Sequence, residues 1–75
     1  MAPLRHTTQR QTVLRAVKFS VAPVTADQVV QLVRKSGSAI GLSTIYRNLQ
    51  YLVGRGEIYR VDSQDGVRRY VGHTH

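Results

Sequence analysis

The sequence contains no cysteine. Its own residues therefore supply neither a disulfide framework nor a thiolate zinc site. Acidic residues are scarce: 4 Asp and Glu stand against 11 Lys and Arg, a formal net charge of +7. The first acid along the chain is Asp27. No apolar run approaches the ~18 residues of a membrane-spanning helix, and no hydrophobic leader follows the N-terminus. Paired carboxylates with an obvious pocket are missing, as is a glycine-rich phosphate loop opening a helix, so catalysis is not expected. The chain has no internal repeat and no low-complexity segment. It reads as a cytosolic binding domain with no affinity for membranes.

What remains is a 75-residue chain with room for one small domain. A chain this short buries only about 60 % of its unfolded surface. Most of its cations are arginine, whose planar fork suits phosphates and guanine edges. So large a positive excess in so small a domain implies an anionic partner.

The organising stretch is Leu42 to Gly56. Leu42, Ile45, Leu49, Leu52 and Val53 recur at helical spacing and predict one buried stripe. Ser43 or Thr44 is placed to cap the start, and Gly54 and Gly56 to end the helix. At roughly 100° per residue, Arg47 points away from the stripe, with Thr44, Gln50 and Tyr51 facing outward and Tyr46 on the flank.

Met1 to His6 reads as a basic arm, with Thr7 or Thr8 capping a first helix from about Gln9 to Lys18. Val13, Leu14, Ala16 and Val17 would face inward, and Arg10, Arg15 and Lys18 decorate a helix with no acid to balance them. Ser20 to Pro23 reads as a loop. Thr25-Ala26-Asp27-Gln28 matches a capping box, followed by Ala26, Val29, Val30 and Val33 at helical spacing. Arg34 and Lys35 suit the last turn, and Gly37 a C-cap. After Gly56 the period changes to strand-length runs, Glu57 to Asp62 and Val67 to Val71, around the turn signal Asp65-Gly66. Tyr70 is placed to pack back on the helices. A hairpin alone is marginal in water, so it must lean on them. The expected fold is mainly α with a small β-hairpin: a winged helix-turn-helix of three helices and a two-stranded wing.

The wording of the central stretch carries a resemblance. Ser43-Thr44-Ile45-Tyr46-Arg47-Asn48-Leu49, then Leu52 and Gly56-Glu57-Ile58, resembles the recognition-helix signature of the ferric uptake regulator (Fur) family of metal-responsive repressors. Thr7-Thr8-Gln9-Arg10 with Val13-Leu14, and Val24-Thr25-Ala26-Asp27, resemble the family's opening segment and next helix start. Gly66 to Tyr70 followed by His73-Thr74-His75 resembles its wing running into a His-rich hinge. Gly41 to Arg47 is most like the zinc-sensing branch.

The resemblance implies a DNA-binding domain over residues 1–72 and, at 73–75, the start of a hinge to a dimerisation and metal-sensing domain. The chain would then be a fragment or a degenerate relative. Tyr46 and Arg47 match the pair that enters the major groove. A tyrosine ring can meet a thymine methyl, and arginine can bond guanine N7 and O6. Arg5 matches a basic residue near an A·T-rich minor groove. Ser43, Thr44 and Tyr51, from their face alone, would contact phosphates, with Arg10 and Arg68 adding charge from the first helix and the wing.

No cofactor is expected in this chain; zinc or iron(II) is implied for a full-length parent. His73 and His75 are the metal candidates, incomplete alone because structural zinc takes four ligands; in this chain such a pair is more often an uncoordinated tail, and in a full-length parent more often a ligand pair. Pro23 stands where many members carry a histidine, and His6 has no assigned role. The implied partners are double-stranded DNA with an A·T-rich inverted repeat and, for a full-length parent, a second copy. The alternative is a protein-interaction module whose basic face docks an acidic partner.

Overall fold

In a computed structural model, residues 2–72 are described, with side chains over residues 8–72. The order is α1 (Ala2–Lys18), α2 (Ala26–Lys35), α3 (Leu42–Gly54), β1 (Tyr59–Asp62) and β2 (Arg68–Val71). No helix of the described residues is long and apolar enough to cross a membrane.

The first helix is longer than its pattern predicts. It starts at Ala2, so the expected basic arm is its first turns, and Thr7 and Thr8 lie inside the helix and do not cap it. Pro3 is no obstacle there, because the first helical N–H groups have no intrahelical acceptor. Within α1 the Thr12 hydroxyl donates to the Thr8 carbonyl at 3.0 Å, the back-bond by which threonine is accommodated in a helix. Val13 and Val17 are buried, and Leu14 and Ala16 pack partly against the core.

The second helix follows its sequence signals closely. The Gln28 N–H donates to Thr25 Oγ1 at 3.1 Å, and the Thr25 N–H to Gln28 Oε1 at 2.8 Å, completing the capping box. Val29, Val30 and Val33 are buried. At its end Gly37 takes φ 88°. The Gly37 N–H then donates to the Arg34 carbonyl at 3.0 Å and the Ser38 N–H to that of Val33 at 3.4 Å, which closes a Schellman cap.

The third helix departs from expectation at its start. Gly41 is the N-cap residue, with no side-chain cap, so neither Ser43 nor Thr44 caps the helix. Both fall inside the first turn, one and two residues past its beginning. Leu42, expected in the stripe, is 48 % exposed: it opens the helix beyond the edge of the core. Ile45, Leu49 and Leu52 are fully buried, and Val53 partly so. Gly56 takes φ 75°. The Glu57 N–H then reaches the Leu52 carbonyl at 3.0 Å, a second Schellman cap that turns the chain into the hairpin.

β1 and β2 pair antiparallel, with Tyr59 opposite Val71 and Arg60 opposite Tyr70. β1 starts two residues later than expected, because Glu57 is spent on the helix cap and Ile58 is buried in the core. Val67 likewise precedes β2, its N–H donating to Asp65 Oδ1 at 3.0 Å. The hairpin is sewn to the helices through Val24, which the sequence pattern leaves unassigned. Its N–H donates to the Tyr70 carbonyl at 3.0 Å, and the Tyr70 N–H to its carbonyl at 2.7 Å. Tyr70 is buried at that seam. Gly72 passes so near α1 that a Cβ there would sit 2.8 Å from the Lys18 Cα.

Replacing Leu49 by Ala is expected to cost about 2–5 kcal/mol. Urea unfolding followed by circular dichroism checks it; a loss well under 1 kcal/mol contradicts the central place given to this side chain.

Candidate nucleic-acid interface

The buried stripe fixes the rotation of α3 and therefore which side chains face water. Ser43, Tyr46, Arg47, Gln50 and Tyr51 are exposed. Thr44 is half-buried, on the flank beside Asn48, which donates to its carbonyl at 2.9 Å. Of the expected phosphate contacts, Ser43 and Tyr51 are exposed and Thr44 is not.

Tyr46 is 39 % exposed. Its hydroxyl reaches across to the first turn of α2 and donates to Asp27 Oδ1 at 3.4 Å, a long bond that aims the ring without covering it. Arg47 lies beside it and has no hydrogen bond or ion pair among the described residues.

Further along α3, Tyr51 joins two helices. The Arg10 guanidinium stacks 4.0 Å from its ring centroid and that of Arg55 lies 5.8 Å away. The electron-rich face of the ring attracts both cations. Arg10 Nε is buried and has no hydrogen-bond partner, so this guanidinium is held by stacking and its outer N–H groups remain available. Arg55 Nε donates to Glu57 Oε2 at 3.2 Å. The Tyr51 phenol first, and then Glu57, hold the Arg55 guanidinium protonated above its ordinary value.

On the other side, Gln50, Arg60, Arg68 and Tyr70 line a recess of about 250 Å³ between the end of α3 and the hairpin. Arg68 is only loosely engaged, 3.8 Å from Asp62, and Arg60 has no ion-pair partner among the described residues. Arg69 is fully engaged: it holds Asp65 at 3.2 Å and Ser63 at 2.8 Å. Cations thus flank the outward face of α3 on both sides, from α1 and from the wing.

The structure brings Arg10, Ser43, Tyr46, Arg47, Tyr51 and Arg68 onto or beside this face. The side chains of Arg5, His73 and His75 lie outside the described residues. Two members of the surface, Arg55 and Arg60, went unassigned from sequence. Each had a signal: Arg55 follows Tyr51 by one helical turn, and the Asp65-Gly66 turn sets Arg60 opposite Tyr70.

Among the described residues, no three His, Cys, Asp or Glu side chains gather as a metal site. The acids are spread out and engaged, Asp27 with a tyrosine and the other three with arginines. The described donors do not fit a structural metal.

Three helices, an open cationic face on the third and a hairpin packed beside it define a winged helix-turn-helix of the DNA-binding kind. The chain belongs to the ferric uptake regulator family, whose model matches residues 1–75. Solved structures agree. FurB of M. tuberculosis, a zinc uptake regulator, is similar with a TM-score of 0.83 at 25 % identity, over 95 % of this chain and 55 % of that one. A zinc-bound manganese uptake regulator gives 0.81 at 27 % identity, over 88 % of this chain and 50 % of the other. The Campylobacter jejuni peroxide stress regulator gives 0.80 at 27 %, over 93 % and 51 %. The chain spans about half the length of these relatives. No curated protein sequence matches it.

The wing turn carries a pH dependence. The Val67 N–H first, and then Arg69, hold the Asp65 carboxyl below its ordinary 3.8. A carboxyl whose folded pKa is depressed stabilises the fold above its unfolded value and ceases to do so as pH falls through the folded one. The amide shifts of Gly66 and Val67, followed by NMR, should therefore inflect below pH 3.8 and lose that inflection in Asp65→Asn. An inflection at or above 3.8 contradicts the two bonds.

Proposed function

We propose that this chain is the DNA-binding domain of a metal-responsive transcriptional repressor, with α3 in the major groove of duplex DNA. One observation supports the reading: Tyr46 and Arg47 are exposed side by side on a helix whose opposite side buries Ile45, Leu49 and Leu52. A B-DNA major groove, about 12 Å wide, admits a helix presented in this way. Arg47 would read guanine N7 and O6, and Tyr46 a thymine methyl. Ser43, Thr44, Arg10 and Tyr51 would engage phosphates on one side, and Arg68 with Arg60 on the other, positioning α3 without specifying sequence. Arg5, carried on α1, would approach the minor groove beyond.

The preferred site is an A·T-rich inverted repeat, bound in the cytoplasm by two copies in a full-length parent. There, zinc or iron(II) would fix the relative angle of two such domains, and His73 and His75 are the candidate ligands from this chain. The similarity to FurB favours zinc. A ligand shifts such an equilibrium only by its differential affinity for the two arrangements. His73 and His75 do not by themselves complete a four-ligand site, so this chain alone should bind DNA weakly and without metal control.

The test is a titration of an A·T-rich inverted repeat against a scrambled duplex at fixed salt. Arg47→Ala should cost about 1–3 kcal/mol on the repeat and little on the scrambled duplex. Arg10→Ala should weaken both alike and flatten the salt dependence, because phosphate contacts act through counterion release. Equal affinity of the unaltered chain for the two duplexes contradicts sequence readout. No duplex binding even at low salt contradicts the proposal as a whole.

A further inference from the structure

The C-terminal halves of α1 and α2 build a face on which no residue of α3 or the hairpin appears. Phe19, 82 % exposed, and Val21, wholly exposed, project there from the turn after α1. Leu32 of α2 forms a ridge between two clefts. One, of about 430 Å³, has Phe19 and Arg15 on its rim; the other, of about 360 Å³, has Val21, Pro23 and Lys35. Leu32 lines both.

The electrostatics of this face are one-sided. No acidic residue lines either cleft. Asp27 accepts from Tyr46, Glu57 faces Arg55 just past the end of α3, and Asp62 and Asp65 face arginines of the hairpin. Arg15 and Lys35 have no ion-pair partner among the described residues. Bulky exposed side chains grouped around a recess are how proteins mark a docking surface. The unpaired cations on both rims select the charge of what docks.

We propose that this double cleft holds an acidic protein segment, which seats bulky apolar side chains on either side of Leu32 and sets carboxylates against Arg15 and Lys35. A second copy of the chain is the wrong partner, since each copy carries +7 and the two fields repel. A lipid surface is disfavoured by shape: interfacial segments insert a convex apolar face, whereas these are recesses suited to side chains, as in helix-in-groove recognition. The site lies apart from α3, so it stands or falls independently of the DNA reading, and a duplex and an acidic segment can be held together.

The probe is a fluorescein-labelled peptide rich in Asp and Glu, with Leu and Phe at i, i+3 and i+7, titrated with this chain by fluorescence anisotropy. It should bind, and the double variant Phe19→Ser, Val21→Ser should weaken it by about tenfold or more. That variant should keep its circular dichroism melt and its affinity for duplex DNA, because both side chains are exposed and remote from α3. The pair Arg15→Gln, Lys35→Gln should weaken the peptide and flatten its salt dependence.

Four results overturn the proposal. The first is no peptide binding, and the second is equal binding of a peptide with Asn and Gln for its acids. The third is greater loss from Arg47→Ala than from the Phe19 and Val21 pair, which would put the peptide on the α3 face. The fourth is capture of anionic phospholipid vesicles, or self-association, abolished by the Phe19 and Val21 pair while the peptide stays unbound.

Discussion

The burial of Ile45, Leu49 and Leu52 against the other two helices is the constraint on which everything else depends. A helix packed on one stripe has no rotational freedom left, so burying these three side chains is the same event as exposing Tyr46, Arg47 and Gln50. The charged face costs the domain little because it stays largely hydrated: no charged residue is buried as a whole among the described residues, and of its guanidinium nitrogens Arg10 Nε alone is buried without a hydrogen-bond partner. The apolar side of α3 contributes the stability and the polar side is free to carry function.

The hairpin extends that constraint. The Schellman cap at Gly56 turns the chain out of α3, and Ile58 anchors it in the core beside Leu52. The Val24–Tyr70 bridge then ties β2 to the segment entering α2. Two fixed points, one after α3 and one before α2, hold the wing beside the recognition helix, although a free two-stranded hairpin is barely stable. Its arginines are thereby placed along the same surface as Arg47. On the far side, the stacking of Arg10 on Tyr51 links α1 to α3 and keeps a guanidinium at the rim.

Much of this was legible in the residues. Thr25 and Gln28 are a mutual cap that needs nothing outside one turn, and the valines behind them have only one helical face. Gly37, Gly56 and Gly66 all take positive φ, and each falls where the apolar period changes or stops. The spacing of Leu42, Ile45, Leu49, Leu52 and Val53 leaves α3 only one orientation, which turns Arg47 outward and sets Tyr46 on the flank. The illegible parts were non-local or ambiguous. Thr7, Thr8, Ser43 and Thr44 have the chemistry of caps, but a hydroxyl is equally at home inside a helix when it bonds back or meets water. Pro3 is as compatible with a first turn as with an arm. Leu42 has the right spacing for the stripe yet lies past the edge of the core. The Val24 bridge and the Arg10 stack join residues far apart in sequence, and only the packing of whole elements brings them together. The Phe19 and Val21 patch sits in a turn, where no periodicity marks it.

The central claim is that the outward face of α3, and not another basic surface, meets the nucleobases. Amide chemical-shift mapping of the chain on addition of an A·T-rich inverted-repeat duplex tests it most directly. The account requires the largest shifts at Ser43, Tyr46, Arg47 and Gln50, smaller ones at Arg10, Arg60 and Arg68, and none at Phe19, Val21 or Leu32. Shifts confined to the α1–α2 clefts, or spread evenly over every cationic residue, would contradict it.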